Sequence, residues 1–159
     1  MEKTFKYDVA GHLFEVILPD GISADDFLGP YIPFSSGRED EPLFRLRLEY
    51  SADLKNTVPG TVRECLNDEA PYFWIFEDED GKFSFGFSYT RECPDCILKT
   101  CADFVDNVVY IPASSSERIA EFAISNAMML LYTFCTSPYQ TLMVHASVIR
   151  HDGLGYMFL

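Results

Sequence analysis

Apolar and polar residues alternate along most of the chain before Pro112, and the period turns helical after it. Phe5, Tyr7 and Val9 alternate with Lys6 and Asp8; Phe14, Val16 and Leu18 follow the Ala10-Gly11-His12 turn. That pattern predicts an N-terminal hairpin. Asp20-Gly21 marks a break, and Ser23 to Phe27 suits a short helical turn capped by Ser23. Residues 29–42 carry Gly29, Pro30, Pro33, Gly37 and Pro42 and read mostly as loop. From Leu43 to Tyr50, Phe44, Leu46, Leu48 and Tyr50 face one way and Arg45, Arg47 and Glu49 the other, as in a half-buried antiparallel strand with one wet face. Residues 51–61 are polar, with Pro59-Gly60 as a turn.

Tyr72 to Phe76 then runs through an acidic turn into Phe83, Phe85, Phe87 and Tyr89, a second hairpin. The intervening Ser84, Gly86 and Ser88 are small, which leaves room for a helix or strand close against that face. Leu98, Thr100, Ala102 and Phe104 form another alternating run, and Val108 to Ile111 a short apolar strand ended by Pro112. Ser114 and Glu117 have capping-box spacing. Ile119, Phe122, Ala123, Ala127, Leu130, Leu131 and Phe134 then recur at helical spacing up to Pro138. The expectation is an α+β fold: a mainly antiparallel sheet of about seven to nine strands, one long helix over about 115–136, and a C-terminal β-hairpin from near Thr141.

Composition narrows the function classes. Hydrophobic residues make up 48% and aromatic residues 15% of the 159, enough for a packed core. The formal charge of −13 repels phosphate backbones and anionic lipid, so neither nucleic acid nor membrane is expected as a partner. The start Met1-Glu2-Lys3-Thr4-Phe5 has no export pattern, and the apolar stretch around Ala127 to Leu131 reads as a buried helix. Five scattered Cys fit reduced thiols and a cytoplasmic location.

Few residues promise chemistry. Cys93-Pro94-Asp95-Cys96 has the spacing of a zinc half-site or a redox pair, and Cys101 could add a third ligand. No second such pair exists, and the motif runs on into strand-like Ile97-Leu98, so a loop holding two thiols is the simpler account. Glu77-Asp78-Glu79-Asp80 before Gly81 could attract Ca²⁺ or Mg²⁺, but it lacks EF-hand spacing and suits a solvated turn. Asp25 and Asp26 fit a helix N-terminus better than an acid/base couple. His12 and His151 lie at turns and are expected to be exposed. His145 stands in the otherwise apolar Leu142-Met143-Val144-His145-Ala146 and needs a hydrogen-bond partner if buried.

The stretch from Val144 to Leu159 places His145-Ala146-Ser147-Val148 before Asp152-Gly153-Leu154-Gly155-Tyr156. It resembles the hairpin that leads into the phosphate-binding loop of the HPr kinase/phosphorylase family and related phosphoenolpyruvate-carboxykinase-like kinases. The resemblance implies an accessory α+β domain over 1–140, for substrate recognition, regulation or oligomerisation. It further implies that 141–159 begins a kinase-like domain cut before its phosphate loop. ATP and Mg²⁺ would then bind only in a longer parent, and the chain alone would be catalytically inactive. His145 would lie near the nucleotide site without being catalytic. The partners implied are the C-terminal kinase-like domain and a second copy, docked through the apolar edge of the hairpin. The other reading of the residues is a stand-alone binding module that uses its aromatic sheet face. A small metalloprotein built on Cys93, Cys96 and Cys101 is a third.

Overall fold

The computed structural model describes residues 2–57, 60–143 and 147–158. Strands β1 (Lys3–Val9) and β2 (His12–Leu18) pair antiparallel, Lys3 opposite Leu18 and Val9 opposite His12. Their two-residue turn places Ala10 at φ 52° and Gly11 at φ 86°, a geometry that twists with the strands. Asp8 Oδ1 accepts the Gly11 N–H at 3.0 Å and holds it.

The chain then crosses over through α1 (Ala24–Leu28) and a 3-10 turn (Gly29–Phe34), where the sequence predicts loop, and returns as β3 (Phe44–Ser51). A short helix, α2 (Leu54–Thr57), precedes β4 (Thr61–Leu66), β5 (Tyr72–Glu77), β6 (Phe83–Ser88), β7 (Cys96–Lys99) and β8 (Asp106–Pro112). These eight strands form one mixed, mostly antiparallel sheet in the order β1-β2-β3-β8-β7-β6-β5-β4. Among the described residues one long helix, α3 (Glu117–Thr136), follows it. The fold is α+β. Strands β9 (Ser147–His151) and β10 (Leu154–Phe158) pair with each other and not with the eight.

Four local expectations need correction. Strand β3 runs parallel to both neighbours, β2 and β8. Alternation reports one wet and one dry face, but direction is set by the crossovers on either side. The predicted run from Leu98 to Phe104 stops at Lys99. Beyond it the chain turns, with Phe104 at φ 58°, and the Phe104 ring reaches Phe134 at 5.3 Å between centroids. Strand β4 was not predicted: most of its residues are exposed, and a bulge between Val62 and Glu64 breaks the alternation. The Ser114–Glu117 box does not form. Helix α3 has Ser116 as its N-cap, so Glu117 falls at the first position and cannot reach back, and neither Ser116 nor Ser23 makes a side-chain cap bond.

One face of the sheet is the core. Ile75, Phe85, Leu98, Val109 and Leu48 lie in one cross-strand row through the registers of β5, β6, β7, β8 and β3. Phe14 and Phe44 stack at 4.9 Å in the parallel half. Helix α3 covers this face. Ala120, Ala123 and Ala127 bring its backbone close, and Ile124, Met128 and Leu131 fill the gaps. Each such buried large side chain contributes about 1.5–3 kcal/mol. The helix is long and apolar enough to cross a bilayer, but its apolar stripe is spent on the sheet, as in a core helix.

Candidate functional site

The opposite, outer face is set by the other half of each alternation. Cys65, Trp74, Gly86 and Ile97 lie in one row across β4 to β7, with Val62 beside Phe76 in the next. Trp74 and Phe76 present near-parallel rings 6.5 Å apart and inclined by 12°. Between them and Ile97 stands Gly86. A Cβ on Gly86 would sit 2.8 Å from Pro94 Cγ and 3.1 Å from Phe76 Cε2. The missing side chain therefore lets Pro94 settle over the sheet. The small face of β6 makes the predicted room, but the loop before β7, not a helix or a strand, fills part of it.

That loop is held from both ends. Asp95 N–H donates to the Phe87 carbonyl at 2.9 Å, and Asp95 Oδ2 accepts the Tyr89 N–H at 2.8 Å. Trp74 Nε1 donates to Ser88 Oγ at 3.1 Å, and Ser88 Oγ donates in turn to the Thr90 carbonyl. The indole is thus fixed by a fully buried hydroxyl. On the far rim, Asp53 Oδ1 and Oδ2 accept from Asn56 N and Nδ2 and start α2, which carries Leu54. Gly60, at φ 97°, passes so close to Glu77 that any side chain there would strike its carbonyl.

The result is an open groove of about 680 Å³, a size ordinary for small-molecule clefts. Leu54, Val62, Trp74, Phe76, Pro94 and Ile97 line it, with Asp53, Glu92 and Asp95 supplying its charged groups. Among the described residues, no Lys, Arg or His lines it.

The cysteines divide between the two faces. Cys93 is exposed on the groove, whereas Cys96 is buried in the core with its Sγ directed at the Phe87 carbonyl, 3.7 Å away. Burial, aided by the Asp95 charge, pushes the Cys96 thiol far up from its ordinary pKa. Cys101 contacts Asp103 Oδ1 at 2.9 Å and accepts the Asp106 N–H. Its hydrogen bond to Asp103 holds that carboxyl below its usual range. Cys135, between core and turn, is pushed up to about 11, chiefly by burial. Among the described residues no three His, Cys, Asp or Glu side chains gather as a metal site.

The acidic tip after β5 is turn chemistry. Asp78 Oδ1 accepts the N–H groups of Asp80 and Lys82, and Glu77 pairs with Arg63. His12 is half-buried rather than exposed: its Nε2 lies 2.8 Å from Thr141 Oγ1, and its ring meets Tyr132 and Tyr139. His151 is exposed and sits 3.3 Å from Asp152. His145 lies outside the described residues.

Sequence reasoning found the aromatic strand but not the groove, whose walls come from segments far apart in the chain. One signal was present: Tyr72 to Phe76 is apolar on both faces, so its outer side needs either a cover or a ligand. Compared with protein-family models, curated proteins and solved structures, the chain matches none.

Proposed function

We propose that the eight-stranded domain is a non-catalytic accessory domain of an ATP-dependent protein resembling HPr kinase, serving substrate recognition, regulation or oligomerisation. The C-terminal hairpin would lead into the nucleotide-binding domain. The supporting observation is that β9 and β10 pair around Asp152-Gly153 as a unit of their own, within the stretch that carries the resemblance. In this reading ATP and Mg²⁺ are bound by the longer parent, His145 lies near the nucleotide, and the apolar hairpin offers a second copy a docking edge. The test is to read the coding sequence beyond Leu159. The expected result is a Gly-rich loop ending in Lys-Ser or Lys-Thr, with ATP binding by the extended protein; a stop codon or an unrelated sequence overturns the proposal.

The groove favours a second reading, a stand-alone binding module whose ligand lies on the aromatic outer face. That reading expects a stable monomer without extension.

A further inference from the structure

We infer that the groove over β4 to β7 is a binding site for a small organic cation with an apolar body, such as an aromatic or branched alkyl ammonium. This inference does not depend on the kinase-like reading, because the described lining of the groove falls within residues 52–112.

The floor argues for an apolar body. Val62 is 55% exposed on it, although it belongs to a strand whose partner Phe76 is only 4% exposed. Val62 stands on the edge strand and Phe76 beside it is covered, so the groove between them and Pro94 leaves apolar surface that a ligand body would remove from water. The indole of Trp74 gives that floor a rigid π face, held by Ser88. Tryptophan offers the best ring face for a cation.

The charge argues for the sign. Asp53, Glu92 and Asp95 line the groove with no basic side chain among its described walls, and the whole chain carries −13. An anionic ligand such as a fatty acid or a phosphate ester would meet repulsion at every charged group of the site. A bare metal ion fits no better. Both carboxylate oxygens of Asp53 already accept from Asn56, and Asp95 Oδ2 accepts from Tyr89. These carboxylates hold the walls of the groove and set its potential while the rings make the contact. A cation with an apolar body uses both features.

Trp74 is the only tryptophan, so its emission reports on the groove alone. The experiment titrates the 159-residue chain with benzyltrimethylammonium, with the anion benzenesulfonate and neutral benzyl alcohol as parallel probes. The expected result is a saturable change in Trp74 emission with the cation only, weakened by added salt, and a rise in melting temperature at saturation. Glu92→Gln should weaken cation binding by about fivefold or less, the range of one exposed ion pair. Val62→Lys, at an exposed position, should abolish it by placing a tethered cation in the groove while leaving the circular dichroism unchanged. No saturable response to the cation, an equal response to the anion or the neutral probe, or full binding by a folded Val62→Lys variant would each overturn the inference.

Discussion

The outer face of this sheet is built in two ways, and the contrast separates what the fold needs from what it leaves free. Under β1, β2, β3 and β8 it is ionic. Glu15 takes Arg45 Nε at 3.1 Å and Lys6 Nζ at 3.6 Å, Arg45 also reaches Glu41, and Arg47 reaches Glu2. Under β4 to β7 it is mostly aromatic and aliphatic, with carboxylates at the margin of the groove and Lys99 at the β8 side, 5.5 Å over the Tyr110 ring. The ionic half satisfies itself in water. The apolar half is partly covered by Pro94 and otherwise open, so it retains binding capacity that the rest of the sheet has used up. The two halves share the same core face and the same helix, so the difference is not imposed by folding.

Changes on the shared face should be felt most. Phe44→Ala and Phe87→Ala, at two fully buried rings on the core side, are each expected to lower unfolding free energy by about 3–5 kcal/mol. Urea denaturation measures it, and equal losses from the two variants would show that one core serves both halves. Next comes the apolar half alone. Gly86→Ala should cost about 1–3 kcal/mol by overpacking against Pro94 and Phe76, and alkylation of Cys93 should speed up as its loop is lifted. Alkylation of Cys96 should stay slow in every folded variant, because its thiol is buried and held protonated.

The ionic half should give smaller effects. Glu15→Gln is expected to cost about 1 kcal/mol or less, diminishing with added salt, since Arg45 and Lys6 are both partly exposed. A larger, salt-independent loss would mean that this half is not the solvated network described. The smallest effect concerns Asp8, whose carboxyl is held below its ordinary pKa first by the hydrogen bond from Arg38, with Gly11 also donating to it. A carboxyl depressed in the folded state stabilises above its unfolded pKa, and that stability is lost as pH falls through the folded value. Asp8→Asn should therefore lower stability at neutral pH and flatten the fall in stability below about pH 4, as read by thermal melts across pH.

The same contrast explains how much of the molecule was legible in the chain. The β1–β2 and β5–β6 hairpins and helix α3 follow from local period and turn residues, because each buries one face and wets the other or repeats at helical spacing. The direction of β3 depends on crossovers, and alternation carries no sign of it. Strand β4 and the early end of β7 escaped because an exposed, bulged edge has no apolar period and because Phe104 turns away to reach Phe134. The helix cap was displaced from Ser114 to Ser116 by the turn that Ser115 N–H closes on the Pro112 carbonyl. For the site, Trp74, Phe76 and the small face of β6 were visible as strand residues. Leu54, Gly60 and Pro94 became walls only through pairing between distant segments, which no local pattern records. At the Cys-x-x-Cys motif, read from the sequence as a loop holding two thiols, strand pairing sends Cys96 into the core opposite Phe87 and leaves Cys93 outside.

The apolar half of the outer face is an open, acid-lined groove with Trp74 on its floor. Collisional quenching of the Trp74 emission tests it directly, with caesium and iodide each compared with free N-acetyltryptophanamide. The account predicts an accessible indole that caesium quenches relatively better than iodide does, with the difference shrinking as salt is raised. An indole that neither ion reaches, or one that iodide quenches at least as well, would contradict it.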